Sequence, residues 1–313
     1  MNSPKIKSAF LAFACLWLFA QTAKADELWL KNIPVRRLQE LYDRTGYTGA
    51  KDFLMLPDHN YPPIFLKNFP ADYDGITDET KRNALFIKIL TPLALKLNQD
   101  IKNERKVIED IAAKFKKDNK LSAADIKTVE TSAAKYDIFS RLKDNDRYSF
   151  LIQELLNRID AIPPSIMITA AALETNWGTS RIVKEGNSLY KMLVWHTDKG
   201  LKPKGETEDD SYRIKTYPDI YASMQDFALK INSHSAFETM RNMRRERRER
   251  NAFMSGLLLA PYTYGSSNLR NYAGIFDYTL AYYELLEIDK SSLKSNMITA
   301  DIIKAYKNYV TKM

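Results

Sequence analysis

Cysteine is almost absent from this chain, since Cys15 is its only representative among 313 residues. A chain with one thiol forms neither a disulfide framework nor a thiolate metal site. Histidine is nearly as rare: His59, His196 and His234 are scattered, and no H-E-x-x-H, Walker or G-x-G-x-x-G motif is present. We therefore expect no metal ion and no cofactor.

Long apolar stretches are missing beyond residue 20. Before it, Ala9 to Ala20 is an apolar run of twelve residues behind Lys5 and Lys7, too short to span a membrane comfortably. An A-x-A pattern ends at Ala25, so we interpret residues 1–25 as a signal peptide that is cleaved there. The protein is expected to be secreted, to the periplasm or the cell envelope.

Cleavage would remove Cys15 and three lysines but no acid, so the formal net charge would fall from +8 to +5. Because Cys15 lies inside the apolar run behind a poor lipobox, plain secretion is favoured over a lipid anchor. The remaining positive charge would be modest, and the protein is expected to be exported. Both points argue against a nucleic acid as partner.

Helical periodicity dominates the rest of the chain. One apolar series recurs at i, i+4 spacing: Leu85, Ile89, Leu93 and Leu97. Pro92 indicates either a kink or a boundary in that helix. A capping box at Ser122 predicts another helix, and further helices are expected from about Tyr148 and from Ala222 onward.

Two short segments break this helical pattern. Leu189–Trp195 is aromatic and β-branched, Ser211–Tyr217 alternates with period two, and a polar loop separates them. They predict a small β-hairpin. The expected fold is mainly α: a helical domain with a small β-hairpin lobe, preceded by an N-terminal helical extension.

One carboxylate stands in an unusually apolar segment. Pro163, Pro164 and Ser165 indicate a helix start with Ser165 as N-cap, and Gly178 indicates its end. The residues between them are apolar all round up to Glu174, which predicts a buried helix with an acid in its last turn. Burial and the negative end of the helix dipole both raise the pKa of such an acid. Glu174 can therefore stay protonated near neutral pH, as a glycosidase general acid requires.

The residues around Glu174 form a motif: 171–180 read AALETNWGTS and 186–190 read GNSLY. This combination resembles A-x-x-E-S-x-W-G-x-S followed by N-N-L-F, the pattern of the bacterial glucosaminidase family of peptidoglycan hydrolases (glycoside hydrolase family 73 type). It is most like the Bax-like secreted branch, and the similarity extends from Lys81 to Glu284. Ser188 and Tyr190 are mild departures from the pattern.

The resemblance implies a lysozyme-like α fold and cleavage of β-1,4 linkages beside N-acetylglucosamine in peptidoglycan glycan strands, with Glu174 as catalytic acid. It also implies a cleft tyrosine, matched by Tyr262, and a second acid in the β-lobe. The candidates for that acid are Glu206, Glu208, Asp209 and Asp210. Such an acid would activate water in an inverting reaction, whereas assistance by the substrate's 2-acetamido group needs no base.

Four further residues are candidates for substrate binding: Trp177, Asn187, Tyr190 and Tyr217. For Trp177 the alternative is core packing, and for Asn187 it is capping of a turn. The predicted division of the chain is a signal peptide (1–25), a loop-rich N-terminal extension (26–80), a helical segment (81–135), a glucosaminidase domain (136–288) and a C-terminal helix (289–313).

Arg241 to Arg250 carries six arginines and two glutamates. Pairs such as Arg245–Glu249 favour a solvated helical face, and the alternative is attraction to an anionic envelope polymer or a membrane surface. The leading hypothesis for the whole chain is a secreted endo-β-N-acetylglucosaminidase acting on peptidoglycan. Its alternatives are a lytic transglycosylase on the same fold and a non-catalytic cell-wall-binding protein.

Overall fold

The computed structural model describes residues 27–48, 56, 58–195, 199–203, 211–252, 256 and 270–313. Its α-helices in chain order are α1 (Val35–Arg44), α2 (Glu79–Asp118), α3 (Ala123–Lys135), α4 (Asp144–Arg158), α5 (Pro164–Thr175), α6 (Arg181–Gly186), α7 (Ile220–Ser233), α8 (Glu238–Glu249), α9 (Arg270–Tyr282) and α10 (Ala300–Ala305). Its strands are β1 (Leu28–Leu30), β2 (Asn60–Tyr61), β3 (Ile64–Leu66), β4 (Leu193–Trp195), β5 (Tyr212–Ile214) and β6 (Ser292–Leu293). The fold is mainly α with small β elements, which confirms the predicted fold class and suits a lysozyme-like domain.

The helix α2 spans 40 residues and continues through Pro92, so no boundary occurs there. The apolar series predicted for it is buried: Leu85, Ile89, Leu93 and Leu97. A proline inside a helix leaves the carbonyl four residues earlier without its amide donor. That carbonyl belongs to Lys88, and the hydroxyl of Tyr47 donates to it at 3.2 Å. A contact from outside the helix therefore replaces the bond that Pro92 removes.

One short strand pair and several backbone hydrogen bonds link the two ends of the described chain. β1 pairs with β3, and β2 pairs with β6. The amide of Lys31 donates to the carbonyl of Tyr309, and the amide of Thr311 donates to that of Trp29, both at 2.9 Å. Both β3 and β6 pack on α2, so one strand from each half of the described chain lies against the same long helix. The predicted division of the chain into domains stays a prediction.

The predicted β-hairpin is present and shorter than the segments that predicted it. β4 and β5 are antiparallel, with Leu193 opposite Ile214 and Trp195 opposite Tyr212. The amide of Lys215 donates to the carbonyl of Met192 at 2.8 Å and extends the pairing. Residues 196–198 and 204–210 between the strands lie outside the described residues.

The arginine-rich run forms α8, and part of it faces inward. The side chain of Arg244 is 2% exposed. Its guanidinium donates to the carbonyls of Arg158, Asp160 and Ala161, at 3.0 to 3.2 Å, and to the side-chain oxygen of Asn232 at 2.8 Å. These carbonyls follow the C-terminal end of α4, where a helix leaves acceptors without intrahelical donors. Arg244 therefore holds the segment between α4 and α5 in place by donating to its backbone carbonyls.

The same inward orientation is found for Arg241, which is 3% exposed and donates to the carbonyls of Ile231 and His234. Arg248 forms an ion pair with Asp160. The expectation of a solvated helical face is therefore wrong for Arg241 and Arg244, whose buried guanidinium groups donate mainly to backbone carbonyls, while Arg248 pairs with the partly buried carboxylate of Asp160. The predicted pair Arg245–Glu249 is present at 3.9 Å.

Candidate active site

Glu174 lies half-buried in the last turn of α5. Every residue of that helix from Pro164 to Ala172 is buried, which confirms the prediction of a buried helix. It packs against α2, α9 and the 3₁₀ turn Leu285–Lys290. Because a close-packed interior leaves a helix little freedom, these contacts fix the position of the carboxyl group.

The start of α5 is held by a residue that the sequence does not mark. Pro163 is the N-cap and makes no side-chain cap bond, so the expectation of Ser165 as N-cap is wrong. Asp289 accepts instead from the amide (2.9 Å) and the hydroxyl (2.7 Å) of Ser165. The amide of Gly256 also donates to Asp289, at 2.8 Å. Burial outweighs these hydrogen bonds and raises the pKa of Asp289 to about 6.

At the other end of α5, Tyr272 of α9 contacts the carboxyl group. Its hydroxyl donates to Oε1 of Glu174 at 3.2 Å across 98 positions of sequence. Burial raises the pKa of Glu174, while the hydrogen bond from Tyr272 lowers it by stabilising the ionised form. The pKa of Tyr272 is itself raised, first by burial and then by the neighbouring carboxyl group.

Two lysines add positive charge near Glu174. Lys191 and Lys230 both lower the pKa of the carboxyl group, but less than burial raises it. Lys191 precedes the hairpin and has a positive φ of 44°, and Nζ of Lys230 lies 3.9 Å from the sulfur of Met192. The pKa of Glu174 therefore stays above its ordinary value, which keeps the acid form available at higher pH.

A tight turn follows Glu174 and explains part of the motif. Asn176, Trp177 and Gly178 have φ values of 48°, 56° and 81°. Asn and Gly tolerate this left-handed region, whereas a bulky residue such as Trp rarely adopts it. A Cβ on Gly178 would lie 3.0 Å from the ring of Phe69 and 3.1 Å from that of Phe86. Both the backbone angle and the crowded space therefore require glycine at this position.

Packing explains the strained conformation of Trp177. Its ring centroid lies 4.6 Å from that of Tyr283 and 5.7 Å from that of Phe86. The hydroxyl of Tyr73 donates to its carbonyl at 3.0 Å. These contacts hold the turn against α2 and the end of α9. Strain of this kind persists only where the surrounding structure compensates for it, and it is concentrated at functional sites. A role of Trp177 in substrate binding stays a prediction.

Asn187 and Tyr217 lie together where the hairpin meets α6. Asn187 is the left-handed C-cap of α6, and its amide donates to the carbonyl of Tyr217 at 3.1 Å. The hydroxyl of Tyr217 donates to Asp226 at 2.7 Å. Tyr190 is buried, stacks on Phe227 at 3.9 Å and donates to a backbone carbonyl of α5. Asn187 and Tyr217 thus join α6 to the end of the hairpin, and Tyr190 packs between α5 and α7. Contact of all three with substrate stays a prediction.

The remaining candidates from the sequence lie outside the described residues: Glu206, Glu208, Asp209, Asp210 and Tyr262. Sequence reasoning missed Tyr272, Lys191 and Lys230 near Glu174. No local pattern marks them, because they reach the site through the packing of α9, the hairpin and α7.

No group of three His, Cys, Asp or Glu residues that could hold a metal occurs in the described ranges. Likewise, no helix among the residues covered by the structure is long and apolar enough to cross a membrane.

Comparison with known proteins gives two results for this chain. The family model for glucosaminidase, described as mannosyl-glycoprotein endo-beta-N-acetylglucosaminidase, matches residues 149–312, more than half of the chain. "Protein bax" of Escherichia coli (strain K12) is 30% identical over 98 residues, which cover 30% of this chain and 33% of that protein. The chain thus aligns with about a third of the length of this relative. No solved structure matches the chain.

Proposed function

The chain belongs to the glucosaminidase family, and on this basis we propose that it is a secreted peptidoglycan hydrolase that cleaves β-1,4 linkages beside N-acetylglucosamine. The observation that carries the proposal is Glu174, a half-buried acid with a raised pKa in the family's matched region. A carboxylic acid with a raised pKa keeps its proton to higher pH and can protonate a leaving glycosidic oxygen. The signal peptide predicted over residues 1–25 would bring the protein to the periplasm or envelope, where this polymer lies.

In the proposed reaction, Glu174 transfers its proton to the glycosidic oxygen as the bond from that oxygen to the anomeric carbon breaks. Because the hydroxyl of Tyr272 donates to Oε1, the proton of the neutral acid is carried on Oε2. The transfer leaves a carboxylate, which the Tyr272 hydrogen bond and the charges of Lys191 and Lys230 stabilise. The same contacts therefore stabilise the ionised carboxylate of Glu174 after its proton has been transferred.

Completion of the reaction needs a second group at the anomeric carbon. Either an acid within 204–210 activates water on the opposite face of the sugar, or the substrate's 2-acetamido group attacks first and water then opens the ring that forms. In the second route, the carboxylate of Glu174 accepts the proton of that water. The two routes give opposite anomeric configurations, so the configuration of the first product separates them.

Removal of the proton donor tests the proposal. Glu174→Gln keeps the shape of the side chain and its capacity to accept from Tyr272, but it carries no acidic proton. We expect clearing of cell-wall material in a gel to fall at least about 100-fold, the usual contribution of a general acid. The control is Glu185→Gln, because Glu185 is on α6 with a side chain 52% exposed and pairs with Arg181. A fully active Glu174→Gln variant would refute the assignment.

Product analysis tests the bond that is cleaved. Mass spectrometry of muropeptides released by the wild-type protein is expected to show reducing N-acetylglucosamine ends. An anhydro-muramyl end would instead identify the reaction of a lytic transglycosylase. Binding to insoluble wall without any release of reducing ends would identify a non-catalytic wall-binding protein.

A further inference from the structure

An aromatic face of α9 is open to solvent. Ile275, Tyr278 and Tyr282 are 52%, 64% and 51% exposed. Their spacing of three and four residues places them on one side of the helix. Single exposed apolar residues are common on protein surfaces, but a contiguous group of large ones marks a surface that binds something.

This face is continuous with the site around Glu174. The rings of Tyr278 and Tyr282 stack with centroids 5.4 Å apart, and Tyr282 lies 4.9 Å from Tyr283. Tyr283 in turn lies 4.6 Å from Trp177, which follows Glu174 in the chain. An unbroken path of aromatic rings therefore leads from the turn after the catalytic helix to the exposed face.

Distances along α9 fit an extended ligand. Tyr272, which donates to Glu174, and the exposed tyrosines are on the same helix. With a rise of 1.5 Å per residue, Tyr278 is about 9 Å and Tyr282 about 15 Å further along the axis than Tyr272. A polymer that is cut at Glu174 extends beyond the reacting bond, so these rings lie within its reach.

The charge of the face selects the kind of ligand. From Tyr272 to Tyr283 the sequence contains one charged residue, Asp277, so this stretch of α9 itself offers no cation to a phosphate or carboxylate. Tyrosine combines an apolar ring with a hydroxyl that forms hydrogen bonds. A pyranose ring has the complementary surface, with C–H groups on its faces and hydroxyl and acetamido groups at its edges.

We propose that Tyr278 and Tyr282, with Ile275 beside them, form a glycan-binding subsite that holds an uncharged stretch of β-1,4-linked amino sugars beyond the bond cleaved at Glu174. The subsite deepens the proposed function and rests on it. The subsite adds binding contacts to long glycan strands. Its loss is therefore expected to weaken binding of the polymer, whereas the proton transfer itself is unaffected.

Binding is measured in proteins that carry Glu174→Gln, so that no substrate is consumed. Into this background we introduce Tyr278→Ala and Tyr282→Ala, separately and together, and titrate a soluble β-1,4-linked N-acetylglucosamine hexamer and insoluble peptidoglycan. Aromatic contacts of this kind predict a rise in Kd of from about twofold to about tenfold for each tyrosine. The matched control is Phe139→Ala, because Phe139 is 81% exposed and lies between α3 and α4. It should leave Kd unchanged.

Activity gives a second readout, in proteins that keep Glu174. Loss of both tyrosines should raise KM for long glycan strands and leave kcat unchanged. If the tyrosine variants bind the hexamer and the polymer as tightly as the Phe139 variant does, the subsite is refuted. It is also refuted if the wild-type protein elutes as a dimer that the tyrosine substitutions dissociate, because the face would then contact a second copy. The cleavage activity of the Glu174→Gln protein is measured first, because residual activity would refute the acid assignment, whereas unchanged Kd values in an inactive background would refute the subsite.

Discussion

Substitution of Arg244 tests whether the arginine-rich helix α8 stabilises the fold through its buried side chains. The substitution is Arg244→Lys, which preserves the positive charge in a side chain that is 2% exposed. Arginine presents several N–H groups in a rigid planar fork, whereas lysine concentrates three donors on a single atom. The charge of the side chain is therefore unchanged, and only the arrangement of its N–H donors differs.

The expected loss follows from the bonds that the guanidinium makes. Arg244 donates to three backbone carbonyls and to Asn232, and Nε lies 3.6 Å from Asp160. One ammonium group can satisfy part of this set, so at least two acceptors lose a charged donor. A hydrogen bond to a charged group is worth about 1.5–3 kcal/mol. For two lost bonds, we therefore expect the free energy of unfolding to fall by about 3–6 kcal/mol.

The matched control is Arg245→Lys, the same substitution one position along the same helix. The side chain of Arg245 is 42% exposed and pairs with Glu249 at 3.9 Å, so its replacement should change stability by less than about 0.5 kcal/mol. Urea unfolding, followed by circular dichroism, compares the two variants through their midpoints at equal slope. Equal losses of stability in the two variants would refute the conclusion that Arg244 holds the segment between α4 and α5 in place.

Two further predictions concern titration. Tyr272→Phe removes the hydrogen bond that lowers the pKa of Glu174, so that pKa should rise further and the alkaline limb of the pH–rate profile should move to higher pH. A limb that is unmoved or moves to lower pH would contradict this. Asp289→Asn removes a carboxyl group whose pKa burial raises from 3.8 to about 6; its contribution to stability is fully present below pH 3.8 and declines as the pH rises to about 6. The wild-type advantage over this variant in urea unfolding should therefore be larger at pH 4 than at pH 7, and an opposite trend would be inconsistent with a buried acid.

Much of the fold is encoded locally and is therefore visible in the sequence. The capping box at Ser122 forms with Asp125, and its two bonds join groups only three positions apart. The apolar run that ends at Glu174 becomes a buried helix, because a segment with no polar side has no face to turn toward water. The hairpin likewise follows from alternation of residue types over a few positions.

The bounds of α5 show where local rules fail. Ser165 was the natural N-cap by residue type, yet its hydroxyl donates to Asp289, 124 positions away. Likewise, Gly178 indicated the helix end, but α5 stops at Thr175, and Gly178 is required instead by its positive φ and by the rings of Phe69 and Phe86. In each case a tertiary contact took over the role that the local pattern suggested.

The sequence by itself determined that an acid, Glu174, occupies the end of a buried apolar helix, and it indicated the family through the residues beside Glu174. Only the tertiary structure decided which groups surround that acid: Tyr272 on α9, the lysines near the hairpin, and Asp289 at the opposite end of the helix. The physical reason is the range of the interactions. Burial and helix position are properties of a short segment, whereas a hydrogen bond across 98 positions exists only once the packing of whole helices has brought its two groups together.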